Sequence, residues 1–188
     1  MGVSTRNRVL DLCGVFAVRS SAALRVDEIF VPGVIVPGRP KICSVSKKFL
    51  GYFGGLVLPP RGQTNVALYK VVEQTMSTCL VLDQQIIEEL QAKGCSATDL
   101  SVGVQMMVDQ YDQQEGYRKG PLDILERSNI FYARDNMDIL RVVSVVSVDD
   151  GWDVDANPIY SQGGWEEDSL VFQQVVDQAT GGGEAKAA

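Results

Sequence analysis

Oxygen-bearing side chains are concentrated toward the C-terminal end of this chain, where they could bind a hard cation. The segment 149–177 carries eight acidic residues and neither Lys nor Arg. Within it, Asp153, Asp155 and Asn157 alternate as the first oxygen ligands of a calcium loop do. This spacing predicts a Ca²⁺ or Mg²⁺ site at these three residues.

The calcium pattern is incomplete beyond Asn157. Pro158 occupies the turn position that requires glycine, and Gly164 stands where the bidentate glutamate belongs. Two other interpretations therefore stay open, namely a solvated acidic turn and a surface that faces the basic part of a neighbouring subunit. A Mg²⁺-dependent enzyme would also need a Lys or Arg beside the carboxylates, and only folding could bring one there.

Histidine is absent from all 188 residues. Its absence excludes Ser-His-Asp and Cys-His nucleophiles, histidine-bound zinc and imidazole acid–base catalysis. The four cysteines are irregularly spaced and include no Cys-x-x-Cys pair, which is typical of reduced core residues. Ser44 and Lys47 match Ser-x-x-Lys, but the companion motifs are missing. We therefore assign no catalytic residue and no organic cofactor.

Charge is divided unevenly along the chain. Residues 1–61 hold nine bases and three acids, a net charge of +6, whereas the remainder holds eight bases and twenty-one acids, a net charge of −13. Such asymmetry indicates a partner, which is the other part of the same subunit, a second subunit, or nucleic acid bound by the basic part. The predicted contact residues are Arg6, Arg8 and Arg25 on the basic side and Glu166, Glu167 and Asp168 on the acidic side.

An apolar loop is predicted between two Pro-Gly turns. Val34, Ile35 and Val36 lie between Pro32-Gly33 and Pro37-Gly38. Proline lacks the N–H that a sheet ladder requires, so this segment cannot be a central strand. The loop either folds back over the core or docks on a neighbouring subunit, and the three apolar residues are predicted contacts in the second case.

Hydrophobic periodicity and turn signals predict an α+β domain with an antiparallel-rich sheet. One long helix is predicted over about 65–92, with Gly94 as its stop signal; Asp83 interrupts the apolar stripe, which leaves open a kink or two shorter helices. Short helices are predicted at 121–126 and 168–176. Segment 96–111 fits either a strand or one face of a helix, and its glycine and valines favour the strand. The valine-rich segment 140–148 is predicted as a central strand covered on both faces. The remaining predicted strands cover 13–18, 28–36, 41–46, 52–58, 130–133 and 152–160. The last of these would pair with 140–148 as a hairpin across the turn at 149–151.

A single domain is predicted over residues 1–180, with extended arms at both ends. The N-terminal arm is basic and covers about residues 1–12, and a flexible Gly/Ala tail covers 181–188. No apolar segment has the length of a signal peptide or a membrane span. We therefore expect a cytoplasmic, or in a virus a virion, location.

These features together predict a structural subunit rather than an enzyme. The expected assembly is homo-oligomeric, such as a viral coat, tube or accessory virion protein, because contacts between unlike patches of identical subunits form rings or filaments. The alternatives are a Ca²⁺- or Mg²⁺-assisted binding module and a small carboxylate- and metal-dependent enzyme.

Overall fold

A large sheet forms the centre of the molecule, and its neighbouring strands come from distant parts of the sequence. The computed structural model describes residues 8–36, 39–72, 80–94, 97–112, 121–125, 127–148, 151–160 and 163–175. The strands are β1 (Leu10–Val18), β2 (Leu24–Arg25), β3 (Ile42–Val45), β4 (Val57–Leu58), β5 (Thr64–Val71), β6 (Asn129–Arg134), β7 (Leu140–Val148), β8 (Gly151–Pro158) and β9 (Leu170–Gln174). The helices are α1 (Val26–Ile29), α2 (Lys47–Phe53), α3 (Asp83–Ala92) and α4 (Leu100–Asp112).

Seven strands form the main sheet in the order β1-β5-β9-β6-β7-β8-β3, and β2 and β4 form a second, two-stranded sheet. Four of the six neighbouring pairs in the main sheet are antiparallel, whereas β6/β9 and β3/β8 are parallel. The predicted α+β class with an antiparallel-rich sheet is therefore confirmed.

Helices cover both faces of the main sheet. On one face, which we call the α4 face, α4 and α2 pack over a buried cluster that includes Phe131 and Phe172. On the opposite face, which we call the α3 face, Ile86 and Leu90 of α3 pack against Tyr132. Two apolar layers therefore share one sheet, and strands in its middle are buried on both sides.

The prediction for segment 140–148 is confirmed in detail. β7 lies inside the sheet between β6 and β8. Val143 packs in the α4-face cluster and Val142 in the α3-face cluster. The hairpin partner at 152–160 is also confirmed, because β8 pairs antiparallel with β7.

The predicted long helix over about 65–92 is wrong in its first part. Thr64–Val71 is the strand β5, residues 73–79 lie outside the described residues, and only Asp83–Ala92 is helical. Val66–Tyr69, in the middle of β5, are apolar and buried on both faces, so this run does not alternate as a half-exposed strand does and imitates a helical stripe. The predicted stop at Gly94 is confirmed, since this glycine follows α3 with φ +75°.

The strand predicted at 96–111 is also wrong, because most of this segment is the helix α4. Every side chain of Ser101–Gln110 is buried except that of Gln105, which is half-buried. The polar residues Ser101, Gln105 and Asp109 follow a helical period, but Ser101 and Asp109 are buried and accept hydrogen bonds from Arg61 and Arg19. The strand was favoured by the propensities of the glycine and valines, which tertiary packing overrides. Gly103 lies against the Phe131 ring, where an added Cβ would be 3.4 Å from it, and this brings α4 close to the sheet.

Two other strand predictions in the first third of the chain are wrong or incomplete. Segment 28–36 contains the end of α1 and then a loop, and segment 52–58 begins inside α2. α2 forms here because the Ser46 hydroxyl accepts the Phe49 N–H at 3.0 Å and caps the helix. Only Val57–Leu58 of the second segment is a strand.

The predicted short helices near the C-terminal end are not formed. Residues 121–125 contain no helical turn, and segment 168–176 contains the strand β9. Asp168 has φ +73°, a turn conformation that leads into the strand rather than capping a helix. Leu10–Leu12, the end of the predicted basic arm, pair with β5, whereas residues 1–7 and the tail 181–188 lie outside the described residues.

Candidate assembly surface

An apolar sheet edge is the most prominent exposed surface in the part of the chain that the structure describes. β1 is the end strand of the main sheet, and no described strand pairs with its outer side. Leu12 is 54% exposed, Val15 55% and Phe16 37%. Among the described residues, Val34 and Ile35 form a second exposed apolar group in the loop near β3, whereas others, such as Leu125 and Met137, lie elsewhere on the surface. Long apolar edge strands readily pair with another chain, and most proteins protect them with charges or prolines.

The two ends of β1 are held by different helices. The Glu89 carboxylate of α3 accepts the N–H groups of Val9 at 2.7 Å and Leu10 at 3.2 Å. Beyond the other end, Arg19 Nε donates to Asp109 Oδ1 of α4 at 2.7 Å. These contacts fix the strand while leaving its middle, residues 12–17, open along the outer side.

A bulge at Cys13 sets which side chains of β1 share a face. The pairing with β5 shifts by one residue between Leu12 and Gly14. Leu12 and Val15 are therefore opposite Tyr69 and Ala67, and both lie on the α3 face. Phe16 is opposite Val66 and lies on the α4 face.

The opposite edge of the sheet is protected. β3 is only four residues long, and the carbonyl of Ile42 accepts the Gly33 N–H at 2.9 Å. The apolar loop thus lies along this edge, with Val34 46% exposed, Ile35 74% exposed and Val36 half-buried. Val34 and Ile35 do not fold back over the core.

The predicted basic contacts are already paired with acids of their own subunit. Arg8 Nε lies 2.9 Å from Asp11 Oδ1, and Arg25 pairs with Asp27 at 2.9 Å and with Glu28 at 3.4 Å. The hydrogen bond from Arg25 lowers the pKa of Asp27. Arg6, the third predicted basic contact, lies outside the described residues.

The predicted acidic contacts differ from one another in their surroundings. Glu166 and Glu167 are exposed. Asp168 is half-buried and pairs with Lys70 of β5 and, at 3.3 Å, with Arg127. The hydrogen bond from Lys70 lowers the pKa of Asp168, so this carboxylate is neutralised within its own subunit.

The predicted metal ligands lie on one face of β8. Asp153, Asp155 and Asn157 alternate with buried residues along an extended strand, rather than in the tight turn of a calcium loop. Asp155 Oδ2 accepts the Asn157 amide at 2.9 Å, and Lys48 Nζ donates to Asn157 Oδ1 at 2.7 Å. Folding therefore brings a lysine from α2 to this acidic face. Among the described residues, no three or more His, Cys, Asp or Glu side chains are grouped to hold a metal ion.

A cavity of about 380 Å³ lies where β6 and β9 end, at a site that the sequence did not indicate. Thr98 fills the gap between these strands, because its N–H donates to the Tyr132 carbonyl at 2.8 Å and its hydroxyl to the Phe172 carbonyl at 3.2 Å. The volume suits a small ligand. The polar lining groups are nevertheless engaged within the protein, with Asp99 Oδ1 accepting the Ser101 N–H at 2.8 Å. We assign this cavity no ligand.

Two buried carboxylates accept hydrogen bonds from side chains of the sheet. Asp83 Oδ1, at the start of α3, accepts the Tyr132 hydroxyl at 2.7 Å and Trp165 Nε1 at 2.6 Å. Burial raises the pKa of Asp83. Asp135 accepts Arg141 Nε at 2.8 Å and backbone N–H groups of the following turn. Burial alone would raise the pKa of Asp135, but these hydrogen bonds hold it below its usual value.

Comparison with known proteins supplies no identity for this fold. No protein family matches the chain, and no curated protein or solved structure is significantly similar to it. None of the described helices has the length and apolar character needed to cross a membrane. The function is therefore inferred from the surface itself.

Proposed function

We propose that this chain is a structural subunit of a homo-oligomeric assembly, of the kind that forms a coat, tube or accessory virion component. The single observation that carries the proposal is the open, apolar outer side of β1 at residues 12–17. Covering such an edge with another chain supplies backbone hydrogen bonds and buries apolar side chains at the same time.

Apolar contact supports this assembly better than the division of charge does. Arg8 and Arg25 pair with neighbouring acids, and Arg19 pairs with Asp109 from the acidic part of the same subunit. Exposed ion pairs contribute about 0–1 kcal/mol each. Fully burying a side chain of this size contributes about 1.5–3 kcal/mol, and covering the parts of Val15 and Phe16 that are still exposed contributes about a third to a half of that per side chain in each copy.

Substitution of the β1 edge tests the proposal. We expect wild-type protein at micromolar concentration to elute from size-exclusion chromatography as an oligomer by light scattering, and a Val15→Lys/Phe16→Lys variant to be monomeric. Losing two buried apolar side chains weakens association by about a hundredfold or more. Leu125→Lys/Met137→Lys is the matched control, because it adds the same charge at exposed apolar residues away from β1. A monomeric wild-type protein, or equal dissociation of the control variant, contradicts the proposal.

The dependence of the oligomer on salt distinguishes an assembly held by apolar contacts from one held by contacts between charged surfaces. Salt screens exposed charges within about 10 Å at 0.1 M, whereas sulfate strengthens apolar contacts. Oligomers that persist in concentrated ammonium sulfate support pairing through β1. Oligomers that dissociate in sodium chloride support the contact between basic and acidic surfaces.

The second candidate function is metal-assisted binding or catalysis on the acidic face of β8. The observation that favours it is the position of Lys48 beside Asn157, since a metal-dependent phosphoryl-transfer site combines carboxylates with a cationic side chain. Asp153 and Asp155 would supply the carboxylates.

Calcium or magnesium titration tests this second candidate. A metal ion that binds the native state raises the melting temperature. We expect millimolar Ca²⁺ or Mg²⁺ to raise the Tm of the wild-type protein, and to leave that of an Asp153→Asn/Asp155→Asn variant unchanged. If neither ion shifts the wild-type Tm, the metal hypothesis is rejected.

A further inference from the structure

We infer that the partner of β1 is the β1 strand of a second copy, paired antiparallel around a two-fold axis at Phe16. This inference rests on the proposed function and specifies its partner and symmetry. The resulting dimer has one continuous sheet, formed by two seven-stranded halves. The paired segment is Gly14–Val18 of each copy.

The choice of partner follows from the difference between the two sheet edges. A head-to-tail contact would place β1 of one copy against β3 of the next. The outer side of β3 offers little to another strand, because β3 is only four residues long and Gly33 already donates to its Ile42 carbonyl. The open edge that a second copy offers is therefore its own β1, which gives a symmetric contact.

The register follows from the bulge. Side chains that are directly opposite in an antiparallel pair must lie on the same face. Gly14–Val18 is the regular part of β1, and it pairs with β5 without a shift. A two-fold axis at Phe16 uses all of this part, placing Val15 opposite Ala17 and Gly14 opposite Val18. An axis at Gly14 or Val15 would bring the bulged residue Cys13 into the paired segment, and an axis at Ala17 or Val18 would extend the pairing beyond the end of β1. Any axis between two residues would place opposite faces together.

The side chains in this register fit one another. Phe16 lies opposite Phe16, and aromatic pairs across strands are favourable. Gly14, on the same face, leaves room for the ring, since a Cβ there would lie 3.4 Å from its own Phe16. No charged residue lies between Gly14 and Val18, so no like charges are opposed.

Disulfide trapping tests the register. In a background with all four cysteines replaced by serine, which removes Cys13 and Cys43, exposed in the described part of the chain, and also Cys79 and Cys95, Phe16→Cys places two thiols directly opposite each other. The Cβ atoms of opposite residues lie within about 4.5–5.5 Å, close to the separation that a disulfide requires. We expect mild oxidation to give a covalent dimer, and no larger species, about tenfold or more faster than in the parent background.

A second pair of variants keeps Phe16 intact in case its removal weakens the dimer. In this register Val15 of one copy faces Ala17 of the other. A mixture of Val15→Cys and Ala17→Cys proteins should therefore cross-link, and each protein alone should cross-link much more slowly.

The possible outcomes separate this inference from the proposed function. If the wild-type protein is oligomeric and loses its oligomer in the Val15→Lys/Phe16→Lys variant, but neither trapping experiment succeeds, the two-fold pairing is wrong and the proposed function stands. Val15→Cys protein that cross-links alone as fast as Phe16→Cys also overturns the register. A wild-type protein that is monomeric at every concentration overturns both.

Discussion

Asp135→Ala is expected to lower the free energy of unfolding by about 3–5 kcal/mol, because it leaves a buried cation without its partner. The Asp135 side chain is fully buried, and that of Arg141 is 12% exposed. The carboxylate also accepts the N–H groups of Met137 and Ile139, both at 2.9 Å. The Arg141 guanidinium lies over the Tyr52 ring at 4.0 Å, so it cannot turn to water without losing that contact.

Chemical denaturation of the variant and of a neighbouring control measures this effect. Asp138→Asn removes a charge from the same turn and keeps a residue type that tolerates the φ of +61° at this position. The Asp138 side chain is 84% exposed and lies 3.6 Å from Arg134. We expect the control to change stability by no more than about 0.5 kcal/mol. Equal effects of the two substitutions would show that Asp135 contributes no more than a surface ion pair.

The pH dependence of stability should change with Asp135 as well. Its pKa is lower in the folded protein than in the unfolded chain. The resulting stabilisation is present above the unfolded value, about 3.9, and is lost as the pH falls through the folded pKa. Asp135→Asn should therefore flatten the loss of stability in acid. An unchanged acid profile would contradict this assignment.

Asp83→Ala is expected to destabilise the protein by about 2–4 kcal/mol. It removes one oxygen that serves two donors, the Tyr132 hydroxyl and Trp165 Nε1. Tyr132 is only 2% exposed, so its hydroxyl would lose its acceptor and remain out of water, at a cost of about 1–3 kcal/mol. Burial, followed by the adjacent Asp83 charge, raises the pKa of Tyr132 well above its usual value and keeps the phenol a donor.

Asp83→Asn separates the hydrogen bonds from the charge. The pKa of Asp83 is raised, so its stabilising contribution is fully present below the unfolded pKa and is lost as the pH rises through the folded pKa. Asparagine keeps an acceptor oxygen without the charge. Relative to wild type, this variant should therefore be more stable at pH 7 than at pH 4, as measured by urea denaturation. An asparagine variant as damaging as the alanine variant at pH 7 would contradict this explanation.

The sequence predicted strands well where the local pattern was strong. β7 was identified from its valines, and β8 from the turn before it and its return as a hairpin. α4 was missed because its glycine and valines favour a strand, although Ser101, Gln105 and Asp109 follow a helical period. β5 was missed because residues 66–69 are all apolar and buried on both faces. Periodicity reports partial exposure, so it fails for a strand that is buried on both faces.

The candidate surface could be predicted only in part. The sequence predicted a short apolar strand at 13–18. Its position at the edge of the sheet depends on pairing with β5, about fifty residues away, which no local pattern shows. The local partners of Arg25 could have been read from the sequence, since Asp27 and Glu28 follow it directly. The net charge of residues 1–61 does not show these short-range pairs, because it only sums the charges of the segment.

The protected edge beside β3 limits what strand pairing alone can build. When the main sheet has one open edge among its described strands, the subunit can join a single neighbour through that sheet and then stops growing. Any closed shell or filament made from this protein therefore requires a second kind of junction between finished pairs. Val34 and Ile35 are exposed near the opposite edge of the sheet from β1. They are positioned to form this second contact.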